Sequence, residues 1–272
     1  MVIVEFSGGL GNQMFQYALY LKLKELRKDV KCDTSLYDFN DSIRSFELTK
    51  AFAIVPDTIS RKEGADIRGY GPDDSILDKV RHKVFKSRIN TYRDDIDSFQ
   101  PEIFEMDNVM LSGYWQNPGY FDDIRETVGE AYSFINISDK NIVLGKEMKN
   151  SNSVSIHIRR SDYLSFENEA IYGKICTVDY YKNAVSLVKE KVDDPVFYVF
   201  SDDPVWAREN ICESDVIMIE GNEGDSSYQD MFLMSQCRHH IIANSSFSWW
   251  GAYLGRNDKG ITICPFRWFN NH

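Results

Sequence analysis

Apolar positions along this chain alternate between two periods. Val2 to Phe6 is a short apolar run that reads as a buried strand, and Ser7-Gly-Gly-Leu-Gly-Asn12 follows it as a tight loop. Beyond the loop, Phe15, Leu19, Leu23 and Leu26 recur at spacings of four and three among Lys22, Lys24, Glu25, Arg27 and Lys28. That spacing predicts an amphipathic helix. Val30 to Asp33 predicts a second strand and so the start of a parallel α/β layer. From about Asp38 to Asn108 the pattern weakens and no element is assigned. Val109 to Trp115 predicts a strand ending in Gln116-Asn-Pro-Gly, Tyr120 to Phe134 predicts a helix, and 135–152 is polar and broken, a boundary or hinge.

The second half repeats the rhythm. Strands are expected at Val154–Ile158, Val196–Ser201, Val216–Ile219, His240–Ala243 and Gly260–Cys264, with helices at Val178–Lys191, Pro204–Asn210, Ser227–Cys237 and Phe247–Leu254. Such alternation predicts a parallel sheet covered on both faces. Ligands of such sheets bind beyond the carboxyl ends of the strands, where His157, Arg159, Ser201, Asp202 and Asn244 all fall.

Composition narrows the classes. The 272 residues are 43% apolar and 14% aromatic, enough for one large or two small domains with a true core. A net charge of -11 argues against a nucleic-acid partner. Lys79 to Arg93 is a local basic exception: either a solvated face, or a contact for anionic lipid headgroups or an anionic acceptor. The five cysteines, Cys32, Cys176, Cys212, Cys237 and Cys264, are scattered without a Cys-x-x-Cys pair, which suggests reduced thiols in a cytoplasm. The N-terminus has no signal-peptide pattern, and no apolar run approaches the roughly 20 residues that span a bilayer. Membrane work is therefore expected only from the surface.

The candidate chemistry gathers in a few motifs. In Val154-Ser-Ile-His-Ile-Arg-Arg-Ser-Asp-Tyr163, strand alternation puts His157 and Arg159 on one face, able to meet one ligand, with Arg160 pointing elsewhere if the strand runs that far. A guanidinium there suits a pyrophosphate; the alternative is a surface salt-bridge cluster of Arg159, Arg160 and Asp162. The loop Gly8-Gly-Leu-Gly-Asn12 offers backbone amides and a helix start to an anion or a sugar hydroxyl, or is simply a turn that needs positive φ. Met14 stands where a dinucleotide fingerprint needs its third glycine, so a nicotinamide site, with Asp33 as its ribose-binding acid, fits poorly.

Asn244-Ser-Ser-Phe-Ser-Trp-Trp-Gly251 also opens a helix. Ser245 or Ser246 could cap it, and the whole run could cradle a phosphate; Trp249 and Trp250 read as core. Ser201-Asp-Asp203 resembles a metal-holding acid pair, but Asp202 fits better as a ribose acceptor or as the partner of Arg159. Asp230 could accept from a base edge or steady its helix N-terminus. Cys237, His239 and His240 do not make a zinc site, since adjacent histidines on a strand face opposite ways.

Taken together, Gly8-Gly-Leu-Gly-Asn-Gln-Met-Phe-Gln-Tyr-Ala18, Gly113-Tyr-Trp-Gln116, His157-Ile-Arg-Arg-Ser-Asp162, Phe200-Ser-Asp-Asp203 and Asn244 to Gly251 resemble the bacterial α-1,2-fucosyltransferases of glycosyltransferase family 11 across nearly the whole chain. The resemblance implies an α/β fold of GT-B type, two Rossmann-like domains facing a central cleft: 1–150 on the acceptor side and 151–272 binding GDP-fucose. It implies that Arg159 holds the diphosphate, His157 and Asp230 the guanosine, and the loop Asn244, Ser245, Ser246, Phe247 and Ser248 the phosphates. Asp202 joins the donor site, while Gly9, Gly11, Asn12 and Gln13 close over the donor. Trp115 and Gln116 serve the acceptor. The implied reaction is inverting and metal-independent transfer of fucose from GDP-fucose, a co-substrate rather than a cofactor, to the 2-hydroxyl of a terminal galactose, free or lipid-linked. The sequence does not identify the general base; Asp162, near by linkage, is a candidate, or else locks Arg159 or Arg160 in place. Two alternatives are another GDP-sugar transferase and a nucleotide-sugar or glycan binder without turnover.

Overall fold

Strand β1 (Val2–Glu5) is buried along its length, and its parallel neighbours explain why. Together with β2 (Val30–Asp33), β3 (Asn90–Arg93) and β4 (Val109–Ser112) it forms a parallel sheet of order β2-β1-β4-β3, with β1 and β4 central. Central parallel strands are covered on both faces and therefore read as continuous apolar runs. Helix α1 (Leu10–Leu26) follows β1 and buries Met14, Phe15, Ala18, Leu19 and Leu23. The computed structural model describes the chain except 27–28, 40–44, 72–73, 85–88, 161, 166–167, 212–215, 256, 258 and 271–272, and except the side chains of 81–84. Cys212, Arg27, Lys28 and much of the Lys79–Arg93 stretch thus lie outside the described residues.

The stretch left unassigned by its pattern holds α2 (Leu48–Ala51), α3 (Arg61–Arg68), α4 (Ile76–Val84) and β3. Helix α3 carries local signals: Ser60 and Glu63 form a capping box, and Gly69 ends the helix at φ 82°. β3 is an exposed edge strand, so it has no apolar alternation to read. The helix expected at Tyr120–Phe134 is broken into two 3-10 turns, 118–120 and 122–124, and α5 (Arg125–Ala131). Phe121, at φ -151°, interrupts it.

The second sheet contains β5 (Ser153–Ile158), β6 (Val196–Ser201), β7 (Val216–Met218), β8 (His239–Ile241) and β9 (Thr262–Ile263), all parallel in the order β7-β6-β5-β8-β9. The same unit holds α6 (Asp139–Lys149), α7 (Glu169–Tyr172), α8 (Val178–Lys191), α9 (Pro204–Asn210), α10 (Tyr228–Gln236) and α11 (Ser246–Leu254), of which α8 and α9 pack against the strands. Val154, Ile156, Ile158, Tyr181, Phe197 and Val199 lie at the heart of its core.

Residues 135–152, expected to be broken, hold α6. Ser138 caps it by accepting from the Asn141 N–H, and its inner face is Asn141, Gly145 and Met148, too polar for an apolar stripe. A Cβ on Gly145 would lie 3.1 Å from Gln236 Cγ and 3.2 Å from Phe232, which shows how closely α6 approaches α10. The chain divides into Met1–Ile135 and Asn136–His272, earlier than the expected break after residue 150, because α6 belongs to the second unit.

Candidate active site

In the second sheet the chain runs from β5 to β6 and β7 on one side, then returns to β8 and β9 on the other. The order reverses between β5 and β8, and open α/β sheets bind ligands beyond the strand ends at such a point. The loops there are those of Arg159 and of Asn244 to Ser248.

The Arg159 guanidinium, 24% exposed, is held at two points: its Nη1 lies 3.2 Å from Asp202 Oδ2 and its Nη2 2.7 Å from Asp162 Oδ2. Asp202 also accepts the Arg160 backbone N–H at 2.8 Å. Arg160 diverges, although it lies beyond the end of β5 at Ile158 and is not set by strand alternation. Its guanidinium lies 3.9 Å from the Trp206 ring centroid, and its Nε donates to Asp203 Oδ2 at 3.2 Å. Asp203 in turn caps α9 through the Trp206 N–H. Both carboxylates of the Ser201-Asp-Asp203 element therefore engage arginine.

His157 is buried, its ring centroid 5.7 Å from that of Phe247. Burial, with Arg159 adding to it, pushes its pKa down to about 3, so the imidazole is neutral at physiological pH. Its Nδ1 is buried without a hydrogen-bond partner, which makes it a polar atom that a bound ligand could satisfy. Tyr163, whose hydroxyl donates to the Asn244 carbonyl at 2.9 Å, ties the β5 loop to the β8 loop.

The serine-rich loop divides by role. Asn244 is a clamp: its amide donates to the carbonyls of Tyr172 at 3.2 Å and Trp268 at 3.1 Å. Ser248 is 1% exposed and donates to the Ala243 and Ser245 carbonyls. Ser245 stands at the N-cap of α11 yet its side chain makes no capping bond, contrary to the expected cap. What faces outward is the first turn of α11, with the half-buried Ser246 and Phe247. The motif glycine serves packing: a Cβ on Gly251 would lie 2.9 Å from Met234 Cβ. Trp250 is fully buried, as expected of core, and half-buried Trp249 stacks on Tyr253 at 4.9 Å. His239 and His240 use opposite sides of β8: His239 Nδ1 accepts from the Ile261 N–H, and His240 Nδ1 meets Ser155 Oγ.

Asp230 lies in the first turn of α10, and burial raises its pKa to about 7. It accepts from Asn222 Nδ2 at 2.7 Å. Asn222 in turn accepts from Asn141, whose amide also reaches Gln229. Sequence reading missed this polar chain, since isolated Asn and Gln residues carry no periodic signal.

In the first sheet the order reverses between β1 and β4, which again places two motifs at one point. Gly8 adopts φ 77°, and a Cβ there would lie 2.4 Å from Asn12 Nδ2, so the turn requires glycine. The Gly9 carbonyl accepts from the Asn12 and Gln13 N–H groups, and Gly11 is buried in the first turn of α1. Gln116 Nε2 donates to Asn12 Oδ1 at 2.7 Å, joining the two motifs.

Gln13 departs from its expected place. It is fully buried, its amide donates to the Gly8 and Ser45 carbonyls and its oxygen accepts from the Glu47 and Leu48 N–H groups. A side chain so engaged is a brace for the loop, not a donor contact. Trp115 is likewise fully buried, edge-on to Tyr120 at 5.6 Å, so the ring expected at the acceptor is core. Its backbone has φ 55°, held by Asp94, which accepts the N–H groups of Tyr114 at 3.2 Å and Trp115 at 2.8 Å. Asp94 was not singled out in the sequence. Asp33 is fully buried and ion-paired with Arg68, which removes it as a ribose-binding acid.

Each unit is an open parallel α/β sheet with its motifs at the point of strand-order reversal, where such sheets bind ligands. The family model described as Glycosyl transferase family 11 matches residues 82–272. The chain belongs to this family and is a glycosyltransferase. It is 37% identical to an α-1,2-colitosyltransferase of Escherichia coli over 99% of this chain and 92% of that one. It is 31% identical to the O-antigen biosynthesis glycosyltransferase WbnK of the same organism, over 97% and 93%. The solved fucosyltransferase NodZ from Bradyrhizobium shares the fold, of GT-B type, at 14% identity, with a TM-score of 0.54 over 92% of this chain and 91% of that one. NodZ α-1,6-fucosyltransferase soaked with GDP-fucose gives 0.53. Among the described residues, no helix is long and apolar enough to cross a membrane.

Proposed function

We propose that this enzyme transfers L-fucose from GDP-β-L-fucose to the 2-hydroxyl of a terminal galactose, inverting the anomeric centre and requiring no metal. The observation that carries this reading is the Arg159 guanidinium, fixed by Asp202 and Asp162 at the strand-order reversal. As the glycosidic bond breaks, negative charge gathers on the departing GDP, and a cation already oriented there stabilises the transition state without reorganising. The first turn of α11 adds backbone N–H groups and the positive end of a helix to the same phosphates. His157 Nδ1 and Asp230 take the guanosine, and Gly9, Gly11 and Asn12 serve the donor with Gln116 at the acceptor. The second unit takes the nucleotide of the donor, and the first receives the acceptor. Asp162, already paired with Arg159, acts as its positioning partner.

The relatives support an α-1,2 linkage, and the O-antigen biosynthesis enzyme favours an O-antigen glycan as acceptor. The unpaired Cys32, Cys176, Cys237 and Cys264 suit a cytoplasmic setting. The test is incubation with GDP-fucose and lactose in the presence of a chelator. A trisaccharide with an α-1,2-linked fucose supports the proposal; absence of product until manganese is added refutes metal independence. Likeness to a colitosyltransferase favours a second reading, in which colitose is the sugar moved. Competition between GDP-linked fucose and GDP-linked colitose, read as the ratio of kcat/KM, decides between them.

A further inference from the structure

Helix α7 is a single turn, far below the roughly 12 residues at which a helix holds itself together, so its place is set by contacts from elsewhere. The segment beyond β9 supplies them. The Asn270 backbone N–H donates to the Ile171 carbonyl at 2.9 Å, and its side-chain amide donates to the Gly173 carbonyl at 2.8 Å. Between these two, the Tyr172 carbonyl accepts from Asn244 Nδ2 at 3.2 Å. Carbonyls that end a helix have no partner within it. Here three successive ones are met from outside, two of them by Asn270.

Rings join this end of α7 to Arg159. Phe269 meets Tyr172 edge-on with centroids 5.5 Å apart, Tyr172 stacks on Tyr163 at 5.0 Å, and the Arg159 guanidinium lies 5.8 Å from the Tyr163 centroid. Tyr163 belongs to the 3-10 turn 162–164, which also carries Asp162, one of the two carboxylates that grip Arg159. The other, Asp202, directly follows β6 and is placed by the sheet. Asp162 has no such footing. Its turn is held by Tyr163, whose hydroxyl donates to the Asn244 carbonyl, and by Asn168, whose amide donates to the Asp162 carbonyl at 3.0 Å. The Asn168 carbonyl in turn accepts the Tyr172 N–H at 2.8 Å, so a shift of α7 moves the turn with it.

We propose that Phe269 and Asn270 are positioning residues for Arg159, a role that rests on Arg159 being the proposed diphosphate ligand. By fixing α7 they fix the Tyr163 ring and the Asp162 carboxylate, and so the direction in which the guanidinium meets a diphosphate. The test is a double-mutant cycle on the full chain, read as the dissociation constant of GDP by calorimetry. Phe269→Leu keeps apolar bulk but removes the ring, and Asn270→Asp keeps size but removes the amide donor. Each should weaken GDP binding about three- to tenfold in the parent. Arg159→Ala should itself weaken binding about tenfold or more. In that background neither change should weaken it further, because the effect runs through the guanidinium. Phe269→Tyr restores the ring and should restore the affinity. Equal losses in both backgrounds would mark a general loss of structure and overturn the proposal, as would parent-like affinity in both Phe269→Leu and Asn270→Asp. If the parent does not bind GDP, or Arg159→Ala binds it as tightly as the parent, the diphosphate role of Arg159 fails and the proposal with it.

Discussion

The Asp202 carboxylate grips the Arg159 guanidinium, with Oδ2 3.2 Å from Nη1, while its other oxygen accepts the Arg160 backbone N–H at 2.8 Å. One side chain thus fixes both the head of Arg159 and the path of the chain just beyond it. Arg159→Ala should lower kcat several hundred-fold, or about 3 to 4 kcal/mol of transition-state stabilisation, by analogy with a lost oxyanion donor. Arg159→Lys keeps the charge but not the fork held between two carboxylates, and should recover little. Asp202→Asn leaves the cation in place but loosens it, so a smaller loss, roughly tenfold, is expected. Steady-state kinetics on the three variants check the order; an alanine variant within a few-fold of the parent would contradict the role of Arg159.

Asp94 holds the 113–116 turn through two backbone N–H groups, and Trp115 sits at positive φ because of it. Asp94→Ala orphans both donors and should cost roughly 2 kcal/mol of stability. It should also raise KM for the acceptor more than for the donor, since Gln116 loses its fixed approach to Asn12. Asp94→Asn retains an acceptor oxygen and should restore most of both. Urea unfolding with separate donor and acceptor KM values distinguishes this from a general loss of fold.

Burial raises the Asp230 carboxyl to a pKa of about 7, well above its ordinary value of 3.8. In the folded protein it therefore binds its proton more tightly than in the unfolded chain. Its contribution to stability is fully present below pH 4 and is lost as pH rises toward and through 7. Under the proposed role of Asp230, guanine binding should run the other way, because a carboxylate that accepts from a base edge does so best when ionised. Affinity for GDP should rise between pH 6 and 8 in the parent and change less in Asp230→Asn, as calorimetry across that range would reveal. Equal slopes in the two proteins would remove Asp230 from the guanosine site.

Neighbouring residues Asn12 and Gln13 should separate by phenotype. Gln13→Ala strands the Glu47 and Leu48 N–H groups that its amide oxygen serves, and should cost about 2 to 4 kcal/mol in chemical denaturation. Asn12→Ala should leave stability nearly unchanged and reduce kcat/KM. The reverse pattern would mean that the loop is organised around Asn12.

Local pattern determined much of this protein. The limits of α8 and β6 could be read directly, because apolar period and breaker residues agree there, and the convergence of His157, Arg159, Asp202 and Asn244 on strand ends follows from element order alone. Tertiary structure decided the rest. Asn141 and Gly145 make α6 a packed helix only because α10 offers Gln229 and a close approach at Phe232. Gln13 and Trp115 carry the residue types of a binding site but lie in the core, while Asp94 lies in an unassigned stretch and positions a motif some twenty residues away. Periodicity records which side of an element is apolar. It does not record which polar side chain meets a backbone N–H across the fold, since that pairing depends on chain segments distant in sequence.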